Sequence, residues 1–357
     1  MTFDLQSLVR KNICNLKPYS SARSEFEGSA DVFLDANENS FGSPAGFGLN
    51  RYPDPLQREL KDRIAKVKGV SPSQIFVGNG SDEAIDLLFR IFCEPGGDEV
   101  ITCPPTYGMY RVSADINDIA VREARLTADF ELDVPAILVA ISDTTKLIFI
   151  CSPNNPTGNP MDRKSILEIA WQFKGIVVVD EAYIDFADEP SMIVELADLP
   201  NLVVLQTFSK AWGMAGVRVG LAFASTEIID LMNRVKPPYN VSGIAQQIVV
   251  DAMKKESTVN EWIITAKNER SRLENSLRNL DIVQRVYPSD ANFLLVKVDD
   301  ANSIYRYLTE EKIVVRNRNN VELCDGCLRI TIGTHDENGR LLAVLTAYGM
   351  GRKIADS

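Results

Sequence analysis

Short apolar runs alternate with amphipathic stretches along the middle of the chain. The runs are rich in Val and Ile and lie at 75–77, 100–102, 147–150, 176–179, 202–205 and 217–223. Between them apolar residues recur at helical spacing, as at Ile85, Leu88 and Ile91. Apolar strands that alternate with helices are typical of a largely parallel sheet with helices on both faces. We therefore predict an α/β fold for this part of the chain.

The segments on either side of this sheet also carry patterns. Ahead of it, residues 1–30 are polar and irregular, and residues 31–33 indicate an edge strand. The spacing of apolar residues from Leu56 to Val67 predicts a helix. Behind it, residues 242–280 are predicted to be mostly helical. A second, smaller group of strands and helices is predicted at 293–296, 301–311, 313–315, 328–332 and 336–348.

The chain of 357 residues is long enough for two domains, each with its own core. We divide it into an N-terminal arm at 1–30, a large domain at 31–245 and a small α/β C-terminal domain at 246–357. A connecting helix precedes the small domain, and the large domain holds a mostly parallel sheet sandwiched by helices.

The net charge limits which classes of binding partner are expected, and the cysteines indicate the cellular compartment. Lys and Arg number 38 against 49 Asp and Glu, so the net charge is 38 − 49 = −11. This charge argues against nucleic acids and anionic membranes as partners. No basic and apolar leader is visible at the start, and no apolar run approaches the roughly 20 residues of a membrane span. Six scattered cysteines suit a reducing compartment. We expect a cytoplasmic protein.

Metal-ligating and histidine chemistry find little support in the sequence. Cys324 and Cys327 have the spacing of a metal-binding or redox pair, but a zinc site needs about four ligands and no second pair is present. We therefore expect no metal. His335 is the single histidine and follows a turn, so we expect the proton-transfer group of any enzyme here to be another residue.

Polar residues follow nearly every predicted strand. They lie at 78–82, 104–107, 152–158, 180–183 and 207–210. In sheets of this kind, ligands bind beyond the carboxyl ends of the strands. We therefore expect these segments to meet at one edge of the sheet and to form the site.

The segment from Thr207 to Arg218 has the most specific chemistry. Hydroxyl groups at Thr207 and Ser209 and the guanidinium of Arg218 suit a phosphate group. The amine of Lys210 suits a Schiff base with a carbonyl. A ligand that carries both groups has the outline of pyridoxal 5′-phosphate (PLP). A surface lysine near an unrelated arginine would give the same sequence pattern. The residues at the other strand ends therefore decide between a PLP-binding segment and an ordinary surface loop.

The other strand ends supply what such a ligand requires. The carboxylate of Asp180 could keep a pyridine nitrogen protonated, although aspartate is also a common helix cap. Asn155 and Tyr183 could donate to the phenolate oxygen, although Asn155 could be an ordinary turn residue. Tyr107 could lie against the ring or in the core, and we expect Tyr110 to be a core aromatic. Ser81 and the amide of Asp82 would join Thr207, Ser209 and Arg218 around the phosphate.

Motifs along nearly the whole chain resemble those of one family. They are Leu34–Asn39, Arg51–Pro53, Cys103–Tyr110, Ser152–Gly158, Asp180–Tyr183, the Lys210 segment and Cys327–Thr334. The chain is similar to the fold-type I PLP enzymes of aminotransferase class I and II, and within them to the histidinol-phosphate aminotransferase subfamily. The resemblance implies that the large domain binds PLP, that Lys210 binds it covalently and moves the substrate proton, and that Asp180 and Tyr183 assist. It also implies a homodimer in which Tyr52 reaches the cofactor phosphate of the partner subunit.

The resemblance further implies how small-molecule substrates are bound. Arg329 would fix an anionic group, Arg316 would help to hold the phosphate of histidinol phosphate, and Tyr19 and Asn155 would lie near the substrate. Two arginines suit a dianion better than a carboxylate. Arg318 lies on the same strand face as Arg316 by period if the strand extends that far, and we expect it to be a solvated charge.

The implied reaction exchanges an amino group between L-histidinol phosphate and 2-oxoglutarate, giving imidazole acetol phosphate and L-glutamate, in histidine biosynthesis. An aromatic-amino-acid aminotransferase and a threonine-phosphate decarboxylase on the same scaffold remain alternatives. A non-catalytic PLP-fold effector domain is an alternative of another class. The acidic charge, the absence of a preceding DNA-binding motif and the presence of Lys210, Asp180 and Arg218 argue against the effector domain.

Overall fold

The structure is a computed structural model that describes residues 3–19, 30–46 and 48–355, and side chains as far as 351. Seven strands form a large sheet in the spatial order β1-β7-β6-β5-β4-β2-β3. Their bounds are Ile75–Asn79 (β1), Glu99–Thr102 (β2), Ala120–Glu123 (β3), Thr145–Cys151 (β4), Ile176–Asp180 (β5), Leu202–Thr207 (β6) and Val219–Phe223 (β7). Strands β2 to β6 pair in parallel, whereas β7 pairs antiparallel with both β1 and β6. The predicted α/β fold with a mostly parallel sheet is confirmed.

The side chains of the central strands alternate between two apolar cores. Val177 and Val179 of β5 point to one core, and Val178 points to the other. All of β5 is buried because helices cover both faces of the sheet, which is why its sequence is an unbroken apolar run. Each fully buried Val or Ile contributes about 1.5–3 kcal/mol to the stability of the fold.

Helices precede, separate and follow these strands along the chain. They are α1 (Leu5–Leu8), α2 (Lys11–Cys14), α3 (Arg58–Lys68), α4 (Ser81–Phe92), α5 (Met109–Ile116), α6 (Val134–Ala140), α7 (Arg163–Gln172), α8 (Thr226–Val235), α9 (Gly243–Ala252), α10 (Glu256–Arg278), α11 (Ala301–Glu310) and α12 (His335–Ala355). Buried residues of α3, α6, α7 and α9 pack on one face of the large sheet, and those of α4, α5 and α8 pack on the other. Within the described ranges, none of the helices combines the length and hydropathy that a membrane crossing requires.

A second, smaller sheet follows α10. It has four strands in the order β10-β11-β9-β8, with bounds Val283–Val286 (β8), Phe293–Val298 (β9), Arg316–Asn317 (β10) and Cys327–Thr331 (β11). Its neighbouring strands pair antiparallel. Helices α10, α11 and α12 pack on it through a core of their own. The two sheets lie within the predicted large and small domains, and the boundary at 245–246 stays a prediction.

Several sequence-based expectations about single elements were wrong. Residues 31–33 are not in a strand. The irregular structure expected for residues 1–30 is wrong for the short helices α1 and α2, and Val9, which follows α1, and Ile13 of α2 are buried in the core of the large sheet. The strand expected at 313–315 is the short β10 that starts at Arg316, because Lys312 takes a left-handed φ of 62° and Val314 faces solvent.

The sheet edge at the carboxyl ends of β1, β4, β5 and β6 is where the chemistry collects. Because β7 runs the other way, its amino end lies at this same edge. Ala215–Val217 forms a 3₁₀ turn and Arg218 has a left-handed φ of 59°, so β7 starts at Val219 and not at 217 as expected. This reversal brings Arg218 to the edge where β6 ends.

Candidate active site

A cavity of about 600 Å³ lies at this edge of the large sheet, beside the small sheet. Its volume is within the range of small-molecule sites. All predicted site residues except Tyr19 and Tyr52 line it, namely Ser81, Asp82, Tyr107, Asn155, Asp180, Tyr183, Thr207, Ser209, Lys210, Arg218, Arg316 and Arg329. The structure therefore brings together residues that are up to about 250 positions apart in the chain.

One end of the cavity has the features of an anion-binding site. Helix α4 begins there, and Gly80 at its N-cap provides no side-chain cap, so the first amides of the helix point outward. Thr207 Oγ1 donates to Ser209 Oγ over 3.0 Å. Arg218 Nη1 donates to the same Oγ over 3.4 Å, and Arg218 Nη2 lies 3.7 Å from Asp82 Oδ2. A helix start, two hydroxyls and an arginine fork are the donors that a phosphate requires.

Gly220, a glycine to which the sequence analysis assigned no role, shapes this end. A Cβ built on Gly220 would lie 2.1 Å from the backbone N of Ser81. The backbone of β7 thus touches the start of α4, and the amide of Gly80 donates to the carbonyl of Arg218 over 3.0 Å. These contacts hold the helix start against Arg218. The sequence signal was the repeated glycine after Lys210, but the contact itself is long-range.

A buried carboxylate lies at the end of β5. Asp180 is 2% exposed; its Oδ2 accepts from the Tyr110 hydroxyl at 2.8 Å and its Oδ1 accepts from the amide of Ala182 at 3.1 Å. Burial raises the pKa of Asp180 to about 6, and these two hydrogen bonds oppose the rise. Tyr110 is a core aromatic as expected, but its hydroxyl also positions Asp180, a role that the sequence analysis missed.

Two other tyrosines line the cavity. The hydroxyl of Tyr107 donates to Asp82 Oδ1 over 3.1 Å, and burial together with Asp82 raises the pKa of Tyr107. The ring of Tyr183 lies 5.4 Å from Lys210 Nζ, measured to the ring centroid. Burial raises the pKa of Tyr183 as well. Both phenols are therefore neutral donors at physiological pH.

The amine of Lys210 is the candidate nucleophile of this cavity. Burial lowers the pKa of Lys210, and the positive charges of Arg329 and Arg218 lower it further, while Asp180 and Asp82 oppose them. A larger fraction of the amine is consequently neutral near pH 7 than for a free lysine. A neutral amine can attack a carbonyl or accept a proton.

The far wall of the cavity is cationic and comes from the small sheet. Arg316 of β10 pairs directly with Arg329 of β11, so the two side chains lie on one face of the sheet. Arg329 Nη1 donates to Asn155 Oδ1, and its guanidinium carbon lies 5.2 Å from the centroid of the Phe293 ring. Burial lowers the pKa of Arg329, and Arg316 adds to the effect. Such a wall favours a bound anion.

The neighbour of Asn155 is a second residue that the sequence analysis missed. Asn154 is fully buried, and its Nδ2 donates to the carbonyl of Pro105 over 2.8 Å and to Thr157 Oγ1 over 2.7 Å. Its Oδ1 accepts from Thr106 Oγ1 at 3.2 Å. Asn154 thus ties together the two loops that carry Tyr107 and Asn155. The repeated asparagine in the motif was the available signal.

Tyr19 and Tyr52 lie outside the cavity. The side chain of Tyr52 is 51% exposed, and its ring stacks on Tyr239 with the centroids 4.5 Å apart. Tyr19 is 75% exposed. Their assigned roles stay predictions. Among the described residues, no three His, Cys, Asp or Glu side chains are grouped as metal ligands, and Cys324 and Cys327 are both free thiols.

Comparison with known proteins shows which family the chain resembles. The family model described as aminotransferase class I and II matches residues 29–345. The histidinol-phosphate aminotransferase of Parabacteroides distasonis is 56% identical over 339 residues, which are 95% of this chain and 97% of that protein. That of Cytophaga hutchinsonii is 52% identical over 348 residues, 98% of this chain and the whole of its own.

Solved structures agree with this grouping. The histidinol-phosphate aminotransferase of Clostridium acetobutylicum superimposes with a TM-score of 0.79 at 25% identity, covering 85% of this chain and 92% of that one. The Sinorhizobium meliloti enzyme of the same name, solved in complex with pyridoxal-5′-phosphate, gives a TM-score of 0.79 at 24% identity and covers 88% and 90%. At this identity the second likeness concerns the fold alone. Because the family model spans most of the chain and the curated relatives span nearly all of it, the chain belongs to the aminotransferase class I and II family.

Proposed function

We propose that this protein is a histidinol-phosphate aminotransferase that uses PLP. It transfers an amino group between L-histidinol phosphate and 2-oxoglutarate, giving imidazole acetol phosphate and L-glutamate, and so serves histidine biosynthesis in the cytoplasm. One observation carries the proposal: the amine of Lys210, the carboxylate of Asp180 and the phosphate-binding donors around Arg218 line a single cavity. Curated relatives of that name, at 56% and 52% identity, support the choice of substrate.

The chemistry of the cavity fits PLP. Ser81, Thr207, Ser209, Arg218 and the amide of Asp82 offer donors for the phosphate group. Asp180 is a buried carboxylate whose pKa of about 6 reflects the cost of its charge, and a pyridinium cation beside it would offset that cost. Asn155 and Tyr183 offer neutral donors for the phenolate oxygen. When bound, PLP supplies a protonated conjugated ring that accepts the electron pair left when a substrate carbon loses its proton.

Lys210 is the residue that moves the proton. Its lowered pKa leaves Nζ free to accept a proton from the substrate carbon and to return it to another position. The aromatic face of Tyr183 lies within 5.4 Å of Nζ and limits where the amine can go. The hydrogen bond from Tyr110 holds the carboxylate of Asp180 in place. A pyridinium ring beside that carboxylate would therefore be held in one orientation.

The arginine wall orients the substrates. Arg329 and Arg316 present two guanidinium groups on one sheet face, and Asn155 fixes the first of them. A phosphate group accepts from both, and a carboxylate of glutamate or 2-oxoglutarate accepts from one. Two substrates that alternate in one cavity can thus share the same cationic wall.

An assay of two half-reactions tests the proposal. Purified protein loaded with PLP is mixed with histidinol phosphate alone, and the visible absorption of the cofactor is followed; 2-oxoglutarate is then added and glutamate is measured. We expect the absorption to fall and then to recover as glutamate forms. Lys210→Ala should abolish both changes, whereas Lys174→Ala, which alters an exposed lysine outside the cavity, should leave them intact.

Related activities are separated by the same assay. Release of carbon dioxide from threonine phosphate, or faster turnover of an aromatic amino acid than of histidinol phosphate, would overturn the choice of substrate. Binding of PLP without any transfer would favour the effector domain. The cationic wall favours a phosphorylated substrate over an aromatic amino acid.

We also propose that the protein is a homodimer in which Tyr52 completes the cofactor site of the partner subunit. Tyr52 is half exposed and outside the cavity of its own chain, and exposed apolar side chains lie nearby in sequence or on α9, at Leu49, Ile244 and Ile248. Gln246 of α9 donates to the carbonyl of Asp54 over 3.3 Å, so α9 lies beside the segment that carries Tyr52. Exposed apolar side chains on neighbouring segments are typical of an interface between subunits.

A further inference from the structure

We propose that Arg318 is the third arginine of the substrate-binding wall, and that it selects phosphate-bearing substrates over carboxylates. The inference rests on the proposed function, since it assigns a specificity to the same cavity. From the sequence alone Arg318 was expected to be a solvated surface charge, and a part in substrate binding was left open. Its surroundings in the structure decide between these two interpretations.

Arg318 lies where its side chain joins Arg316 and Arg329. Its amide donates to the carbonyl of Cys327 over 2.9 Å, so the pairing of β10 with β11 continues past the last residue assigned to β10. Residues two apart on a strand share a face. Arg316, which pairs with Arg329, is two residues away, and all three side chains line the cavity.

The position of Arg318 is fixed by its own loop. Its carbonyl accepts from the amide of Val321 at 2.8 Å, and the carbonyl of Val321 accepts from the amide of Cys324 at 2.9 Å. Cys324 is fully buried, which anchors the loop to the core. A surface charge on a free loop would have neither constraint. Arg318 is therefore held at the cavity wall.

The electrostatics of the wall point to a multiply charged ligand. Burial lowers the pKa of Arg318, and the charges of Arg329 and Arg316 lower it further. The buried Nε atoms of Arg318 and Arg329 have no hydrogen-bond acceptor among the described residues. Three clustered cations repel one another, and like charges facing each other on paired strands are destabilising. An anion that accepts hydrogen bonds from all three guanidinium groups offsets their mutual repulsion and provides the missing acceptors.

A phosphate monoester matches this wall better than a carboxylate does. It carries a charge near −2 at pH 7 and three acceptor oxygens, whereas a carboxylate carries one charge and two oxygens. A carboxylate accepts from one arginine fork, or from two at most. The third guanidinium gains a partner only when a phosphate is bound, so removing it should weaken binding of the phosphate donor and spare glutamate.

Steady-state kinetics with both amino donors test this assignment on the PLP-loaded enzyme. We expect Arg318→Gln to raise KM for histidinol phosphate about 10- to 100-fold, the effect of losing one hydrogen bond to a charged group, and to change KM for glutamate less than about threefold. Arg318→Lys, which keeps the charge but loses the fork, should fall between the wild type and Arg318→Gln.

Arg125→Gln is the matched control. Arg125 Nε pairs with Glu322 Oε1 over 2.8 Å, so this variant perturbs the same loop without touching the wall. It should leave both KM values near those of the wild type. Equal losses for both donors in Arg318→Gln, or the same phosphate-specific loss in Arg125→Gln, would overturn the proposal.

A second measurement separates this proposal from the proposed function. Inorganic phosphate is tested as an inhibitor of the glutamate half-reaction, and we expect its inhibition constant to rise at least about tenfold in Arg318→Gln. An unchanged inhibition constant would refute the role of Arg318 whatever the natural donor is. Inactivity of the wild type toward histidinol phosphate, with the phosphate effect intact, would refute the substrate and keep the anion site.

Discussion

The hydroxyl of Tyr110 donates a 2.8 Å hydrogen bond to the carboxylate of Asp180, and both side chains are buried. The two residues are 70 positions apart, and the bond joins α5 to the end of β5. A hydrogen bond to the ionised form lowers the pKa of a carboxyl group. Tyr110 therefore helps Asp180 to stay charged in a place where burial favours the neutral form.

Replacing Tyr110 by Phe should weaken cofactor binding in a pH-dependent way. Without the hydroxyl the pKa of Asp180 rises above about 6, so less of it is charged near neutral pH. We expect the affinity for PLP to fall about tenfold, and to fall more at pH 6.5 than at pH 8.5. Titration of the cofactor-free protein with PLP measures both. Tyr305→Phe is the control, because Tyr305 is half-buried against the core of the small sheet. Equal losses at both pH values would contradict the explanation.

Replacing Asp180 by Asn should stabilise the cofactor-free protein above pH 6. Folding raises the pKa of Asp180 from 3.8 to about 6, so its contribution to stability is present below pH 3.8 and is lost as the pH rises through 6. Asn carries no such cost. We expect a gain of up to about 3 kcal/mol at pH 7.5 and about half of that at pH 5, measured by urea unfolding. The variant should nevertheless bind PLP poorly. A gain that is equal at both pH values would rule out this cause.

Replacing Gly220 by Ala should separate the start of α4 from β7. The added Cβ would lie 2.1 Å from the amide of Ser81, a clash of two backbone segments that no rotamer relieves. We expect a loss of at least about 2 kcal/mol in unfolding free energy, together with weaker PLP binding. Gly216→Ala is the matched control, since a Cβ there meets no described atom within 4 Å. Similar behaviour of the two variants would show that the contact is unimportant.

The adjacent asparagines should respond differently to alanine. Asn154→Ala removes two donated hydrogen bonds from buried partners and should cost about 2–3 kcal/mol of unfolding free energy. Asn155→Ala removes the acceptor that holds Arg329, which should raise KM for the amino donors with little loss of stability. Thermal unfolding and steady-state kinetics on both variants check this division. It fails if Asn155→Ala is the less stable of the two.

The proposed homodimer predicts recovery of activity on mixing two variants. Lys210→Ala lacks the amine but keeps Tyr52, and Tyr52→Ala keeps the amine. If Tyr52 acts on the partner subunit, a mixed dimer contains one intact site, because the chain with Lys210 receives its tyrosine from the other. Coexpression should therefore give more activity than either variant alone. Failure to recover activity in a dimer shown to be mixed would place Tyr52 outside the cofactor site.

Much of this architecture could be predicted because it depends on local pattern. The central strands are buried on both faces, so β5 and β6 stand out as apolar runs. The meeting of Asp180, Thr207 and Lys210 follows from strand direction alone. Strands β3 and β8 were missed because they lie at the sheet edges and at least half of the residues in each are exposed, which leaves no apolar run to detect.

The details that tune the site could not be predicted in the same way. The bond from Tyr110 to Asp180 and the contact of Gly220 with Ser81 join positions that are distant in the chain. No spacing rule relates such pairs, since they arise from how helices settle on the sheet. Tyr110 was correctly predicted to be a core residue, but a tyrosine that packs and a tyrosine that donates have the same sequence signature.

The reversed direction of β7 limits how the chain order can be rearranged. Because β7 runs antiparallel to β6, the amine at 210 and the guanidinium at 218 lie on the single loop that connects these two neighbouring strands. A circular permutation that opens new termini within this loop would leave the strands paired. It would, however, cut the covalent connection between the amine and the guanidinium. Termini opened at 142–144, at the opposite rim before β4, would keep that connection. Loops at the end of the sheet that carries the cavity are therefore poor positions for new termini, whereas loops at the opposite end tolerate them.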